Sequence, residues 1–337
     1  VESADVAVVG AGVAGSVLAR LLEPSGYRVV LYDMFRRYRK PCGEVIPAAA
    51  LDMVASLRLP VPDVVDKIRF FEFIDERGRT LREVEFSKPI WVSIDKTEWV
   101  NELREGLSLE IRTVRKLTDI EAGLVVDARG PFSSLGLKVT VWRGYVHSRD
   151  YVEKAVIIIS REPFGIAWVF GHGDLANVGG GFIGVGDPRP LVYGMLRRLG
   201  LWNFLEKAYS IVTLYPRIIL SDGYSLRVGE SAGFIQSLGG EGIRPAIESA
   251  AALAYAIEEN GAKISRGLLE AYDRYTRGLQ TETKLANILL ALSQAMGASA
   301  LSIVGEEFLS LWLSGRLREV RRVLAALFTV KRRRGQG

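Results

Sequence analysis

The stretch Asp5-Val-Ala-Val-Val-Gly-Ala-Gly-Val-Ala-Gly15 decides the fold. Val6 to Val9 is an unbroken apolar run, the pattern of a parallel strand buried on both faces. The glycines that follow, Gly10-x-Gly12-x-x-Gly15, have separate duties. Gly10 permits the tight turn, Gly12 lets backbone approach a pyrophosphate, and Gly15 lets helix and strand pack closely. Helical spacing at Val17, Leu18, Leu21 and Leu22 comes next, until Pro24 and Gly26 end it. Arg28-Val-Val-Leu-Tyr-Asp33 reads as the second strand of a β-α-β unit. Phosphates bound here sit at a helix N-terminus, among free N–H groups, with Val13 and Ala14 in its first turn. Asp33, at the second strand end, suits ribose hydroxyls and argues against a 2′-phosphate. The fingerprint by itself does not separate FAD from NAD.

Further along, Lys67 to Phe86 alternates around Glu76-Arg77-Gly78 and predicts an antiparallel hairpin. Val152 to Ser160, Ile166 to Phe170 and Leu175 to Val185 read as more strands of the same sheet. Pro190 to Tyr209 carries helical periodicity, Ile211 to Leu220 reads as extended, and the pattern after Gly242 is helical. Leu124 to Ala128 and Leu226 to Gly229 are short apolar runs ending in small residues, late strands of the first unit. The expected fold is α/β: a Rossmann-like nucleotide domain built from discontinuous segments, an inserted antiparallel β-sheet substrate domain, and a helical C-terminal region. The expected boundaries are 1–65, 92–140 and 222–262 for the nucleotide domain. The inserted domain takes 66–91 and 141–221, and the helical region takes 263–337.

A second constellation points to flavin. Gly229-Glu-Ser-Ala-Gly233 forms a small-residue turn after a strand, and Gly239-Gly240-Glu241-Gly242 leads into a helix from Ile243. Glu230 is placed to accept from the ribityl hydroxyls. The glycines admit the ring edge, and the helix N-terminus would offset the negative charge that reduction brings.

Together with Arg39-Lys-Pro-Cys-Gly-Glu44 and Asp127-Ala-Arg-Gly130, these motifs resemble the geranylgeranyl reductase family of flavoproteins, in the p-hydroxybenzoate-hydroxylase-like superfamily. The match runs to about Glu258. The resemblance implies bound FAD and reduction of isolated double bonds in prenyl chains, either geranylgeranyl diphosphate or geranylgeranyl membrane lipids of archaeal type. It implies that Met34, Cys42, Gly43, Glu44 and Ala128 also border the cofactor. Lys96 stands where the family usually has arginine, keeping the charge without the planar fork. Glu230 stands where aspartate is usual.

The family's aromatic pocket motif, Tyr-x-Trp-x-Phe-Pro, corresponds to Ile166-Ala-Trp168-Val-Phe170-Gly171. Alternate strand positions share a face, so Ile166, Trp168 and Phe170 are expected to line a substrate pocket or to be plain sheet core. The candidate catalytic residues are Cys42, in the Pro-Cys-Gly motif, and His172, able to supply a proton or meet a diphosphate. The bland alternatives are a small apolar side chain for Cys42 and a solvent-exposed loop histidine for His172. A monooxygenase of the same fold acting on a small aromatic, and a flavoprotein without turnover, are the competing readings.

A single cysteine excludes a disulfide framework and a cysteine zinc site, and suits a reducing cytoplasm. With two histidines there is no case for a histidine metal cluster. The acidic start runs directly into a strand, so no secretory leader is expected. Scarce Asn and Gln with abundant Arg is a thermophile-like composition. Net charge of +5 favours anionic partners, but no motif supports nucleic acid. Leu285 to Gly305 has no charged residue; Asn287, Gln294 and Gly297 interrupt it, and buried helices along an apolar tunnel are expected rather than a membrane span. The tail Lys331-Arg-Arg-Arg334 after an amphipathic stretch suits either peripheral contact with acidic lipid or a solvated end. No second dinucleotide fingerprint exists, so electrons are expected from outside, from a ferredoxin or a transiently bound NAD(P)H.

Overall fold

The apolar run before the glycine turn is β1 (Ala4–Val9), the middle of a five-stranded parallel sheet. This computed structural model describes residues 4–297, 304–319 and 322. The sheet's other strands are β2 (Val29–Asp33), β8 (Leu109–Ile111), β9 (Ala122–Asp127) and β15 (Ser225–Arg227), in the order β15-β9-β1-β2-β8. Helix α1 (Val13–Leu22) and helix α5 (Ile243–Asn260) pack together on one face. They bury Val17, Leu18, Leu22, Leu253 and Ile257 completely. Helix α3 (Lys96–Arg104) also packs on α1, capped by Asp95, whose carboxylate accepts from the Glu98 N–H.

A seven-stranded sheet forms the second layer, in the order β14-β10-β13-β12-β11-β5-β6. Its strands are β5 (Phe70–Asp75), β6 (Thr80–Glu85), β10 (Leu137–His147), β11 (Lys154–Arg161), β12 (Phe164–His172), β13 (Leu175–Phe182) and β14 (Leu205–Leu214). All neighbours are antiparallel except β11 and β5. A small antiparallel sheet of β3 (Val45–Pro47), β7 (Trp91–Ile94) and β4 (Val64–Ile68) lies beside it. Helix α2 (Ala49–Ser56) follows β3, and helix α4 (Arg189–Arg198) packs on β13 around Trp142, Val192 and Leu196. The C-terminal region supplies α6 (Arg266–Met296) and α7 (Glu306–Leu313). This is the α/β class the sequence predicts.

Four local readings differ. The helix predicted over Pro190 to Tyr209 stops at Arg198, because Gly200 turns the chain at φ +75 and the following residues pair with β10 as β14. The extended stretch predicted from 211 to 220 ends at Leu214, where Tyr215 takes φ +50 and Pro216 follows. Lys67 and Ile68, taken for the start of the hairpin, pair with β7 instead. The uncharged stretch is not buried all round: Ala286, Leu289 and Leu290 face inward, whereas Ile288, Leu292 and Met296 are exposed. Gly297 does end α6, and no helix among the described residues is long and apolar enough to cross a membrane. The basic tail lies outside the described residues.

Candidate functional site

One cavity of about 1180 Å³ runs from the glycine turn to the aromatic face of the seven-stranded sheet. Single-ligand pockets usually hold about 300–1,000 Å³, so there is room for more than one bound group. At one end lie Gly12, Val13 and Ala14, opening α1. No side chain caps this helix and no acid stands in its first turn. Its free N–H groups therefore face the cavity. A Cβ built on Gly12 would meet nothing nearer than the Tyr38 ring at 3.9 Å, so backbone is open to an approaching group. Gly10 and Gly15 have packing duties instead. A Cβ on Gly10 would sit 2.4 Å from the Ala128 oxygen, and one on Gly15 2.0 Å from the Gly10 oxygen.

Asp33 and Met34 line the same end. Asp33 Oδ2 accepts from the Ala11 N–H (2.8 Å) and from Arg104 Nη2 (3.1 Å), and Oδ1 from the Phe35 N–H. Arg104 also donates through Nε to the Ala11 oxygen (2.7 Å), tying α3 to the glycine turn. Burial lowers its pKa, with Asp33 and Tyr38 opposing. The sequence reading overlooks Arg104, which has no motif around it and is buried only because α3 folds onto α1.

In the middle, Gly240, Glu241, Gly242 and Ile243 border the cavity where α5 begins, again without a side-chain cap or a first-turn acid. Glu230 also lines it, but both oxygens have protein partners: Lys40 Nζ at 3.1 Å and the Thr213 N–H at 2.8 Å. Gly229 stands behind the wall, at φ +59, where a Cβ would meet the Ala14 Cβ at 2.8 Å. Ala128 lines the cavity beside Gly130.

Across from these, Cys42, Gly43 and Glu44 form the bend between the two ends. Lys96 is fully buried beneath them and donates to the Lys40 oxygen (2.5 Å) and Cys42 Sγ (2.9 Å). Burial works against its charge, but Cys42, Tyr38 and Glu44 more than offset this and hold the ammonium above its ordinary pKa. Ile166, Trp168 and Phe170 all line the far end from β12, joined by Trp91, Trp312 and Leu290. Trp168 and Phe170 lie nearly parallel with centroids 5.9 Å apart. Trp168 rests against Gly179, where a Cβ would come within 2.3 Å of its ring. Gly171 has an equally local cause: a Cβ there would meet the Tyr151 oxygen at 2.2 Å.

His172 is neither on the cavity nor a free loop residue. It ends β12, half-buried, with Nδ1 2.6 Å from Ser93 Oγ and its ring 5.3 Å from that of Tyr145. Burial lowers its pKa, outweighing Glu44 and Asp95. Two polar residues the sequence reading passes over, Tyr145 and Asn177, sit behind the cavity wall and hold Glu44. Both lie inside apolar strands, and nothing in their neighbours marks them.

The profile of the NAD(P)-binding Rossmann-like domain matches residues 8–38. No curated protein sequence matches. Solved structures match over nearly the whole chain. The fold is that of the flavin-dependent oxidoreductases. A geranylgeranyl bacteriochlorophyll reductase-like protein of Thermoplasma acidophilum has a TM-score of 0.76 at 16% identity, covering 97% of this chain and 96% of its own. The flavin-dependent brominase Bmp2 has a TM-score of 0.71 at 14% identity, covering 94% of each chain. CtdE, solved with FAD and a substrate, has a TM-score of 0.68 at 15% identity, covering 98% of this chain and all of its own.

Proposed function

We propose that this chain is an FAD-dependent reductase that saturates isolated C=C bonds in prenyl chains, as geranylgeranyl diphosphate or geranylgeranyl lipid. The observation carrying the reading is the shared cavity, with two uncapped helix N-termini at one side and an apolar aromatic wall at the other. The residues fit FAD. Gly12, Val13 and Ala14 would take the pyrophosphate, Asp33 the adenosine ribose, and Gly240 to Ile243 the pyrimidine edge of the ring. Lys96 and Glu230 brace the segments that carry the contacts, one holding the Cys42 bend and the other joining Lys40 to β14.

When bound, the flavin supplies the hydride. The chain's own part is to orient an apolar substrate and keep water away. Ile166, Trp168 and Phe170 with Trp91 and Leu290 provide a surface that offers an alkene chain contact without hydrogen-bonding demands. An external ferredoxin or NAD(P)H would renew the electrons.

The test has two stages. Purified protein titrated with FAD should bind it and turn yellow; protein that stays colourless refutes the cofactor assignment. Reduced holoprotein is then incubated anaerobically with geranylgeranyl diphosphate or a geranylgeranyl lipid and analysed by mass. Two added hydrogens per double bond support the reading. An unchanged chain, together with an oxygen atom gained by a small aromatic under air, supports the oxygenase reading instead.

A further inference from the structure

Glu44 stands out because its backbone and side chain are both unusual. It takes φ +58, a left-handed conformation that costs a residue with a Cβ about 1 kcal/mol or more. The residue is 3% exposed and borders the cavity. Oε2 accepts from the Tyr145 hydroxyl and from Asn177 Nδ2 (3.2 Å). Asn177 is fixed in turn, donating to the Cys42 oxygen (3.0 Å) and accepting from Trp168 Nε1 (3.0 Å). Oε1 has no hydrogen-bond partner among the described residues. One oxygen is thus held by the sheet, in a residue that borders the same cavity as Trp168 and Phe170.

The surrounding charges come from several elements. Lys96 reaches in from α3 and Cys42 from the same bend. Arg143 on β10 lies 4.4 Å over the Tyr145 ring, and the His172 ring on β12 lies tilted beside it, 5.3 Å away. Asp66 and Asp95 also act on His172, opposing the effect of its burial. Tyr145 is no acid here, since burial and then Glu44 push its phenol above its ordinary pKa, and His172 does not line the cavity.

We propose that Glu44 is the catalytic acid of the reduction, taking up a proton when the flavin is reduced and delivering it from Oε1 to the alkene. This rests on the reductase reading above. An isolated double bond has no neighbouring group to hold negative charge, so hydride addition to one carbon needs a proton for the other from a positioned acid. The two-electron-reduced flavin supplies the hydride. The π bond breaks, two C–H bonds form, the flavin is left oxidised and Glu44 is left as carboxylate. Negative charge arriving with the next reduction of the flavin favours its reprotonation.

The test measures the flavin midpoint potential of the holoprotein against pH, which needs no substrate. Each proton taken up is a tenfold change in the equilibrium per pH unit, about 30 mV for a two-electron couple. Wild type should show the slope of two protons, about 60 mV per unit, near neutral pH, and Glu44→Gln the slope of one. Glu44→Asp should keep the steeper slope, which separates loss of the acid from disturbance of the bend. In single turnover with prenyl substrate, Glu44→Gln should slow saturation by roughly 100- to 10,000-fold. Equal slopes in wild type and Glu44→Gln, or an undiminished turnover, overturn the assignment. A wild type with the steeper slope that leaves every prenyl substrate unchanged overturns the reductase reading, and with it the alkene as the proton's destination.

Discussion

Replacing Gly12 with alanine should separate folding from cofactor binding. In the structure Gly12 has φ −74 and ψ −165, extended backbone open to any residue, and its Cβ would meet only the Tyr38 ring at 3.9 Å. Alanine restricts the unfolded chain, worth roughly 0.4–1 kcal/mol, and loses some N-cap preference of similar size. The thermal midpoint should therefore stay within about 3 °C of wild type. The new methyl group, however, occupies the side from which a pyrophosphate approaches. Losing one charge-assisted N–H contact costs about 1.5–3 kcal/mol, or a roughly 10- to 150-fold weaker Kd for FAD. The assay is titration of the apoprotein with FAD, followed by quenching of flavin fluorescence, beside a melting curve of the same sample. Gly15→Ala is the contrast: its Cβ falls 2.0 Å from the Gly10 oxygen, so it should lose stability first. Gly12→Ala with wild-type affinity would show that the phosphates lie elsewhere, and an unfolded Gly12→Ala would show that the turn has no such space.

Arg104→Met should lower stability by about 2–4 kcal/mol in urea titration, since it strips the Ala11 oxygen and Asp33 of a buried partner; an unchanged midpoint would deny that the pair holds the turn. Trp168→Ala should cost about 3–5 kcal/mol by the same assay, while Trp168→Phe should cost about 1–3 kcal/mol, for the unpaired Asn177 oxygen. Burial raises Glu282 to about 7, with Glu241 and Glu248 adding to the rise and the neighbouring Arg244 opposing it. A carboxyl whose folded pKa exceeds its unfolded one loses relative stability as pH climbs from about 4.5 to 7. Glu282→Gln should therefore flatten the melting profile over that window; parallel profiles would contradict this.

What the chain disclosed before folding followed from how local each cause is. The turn at Gly10 to Gly15, the strand around it and the α5 entrance at Gly242 depend on neighbours in sequence, and could be read directly. The helix drawn to Tyr209 failed because β10, far upstream in sequence, supplies the hydrogen bonds that make β14 a strand. At the cavity, Ile166, Trp168 and Phe170 share a face by strand periodicity alone. Arg104, Tyr145 and Asn177 matter only because α3, β10 and β13 converge around one cavity, and no spacing announces that. Glu44 was noticed for its motif, while the clamp on its Oε2 is a property of the assembled sheet. His172 drew notice for its rarity, which says nothing about where a side chain ends up.

The order of strands in the parallel sheet also sets a schedule for synthesis. β9 finishes at Asp127, but β15, which covers its outer edge, begins only at Ser225, after the last strand of the seven-stranded sheet. At about 5–20 residues per second the ribosome needs roughly 5–20 s to make the intervening chain. Throughout that interval the backbone of Val125 to Asp127 lacks its final neighbour and could template pairing with another nascent chain. Slower translation upstream of Ser225 should therefore increase aggregation of this protein, whereas a pause after Arg227 should leave its yield unchanged.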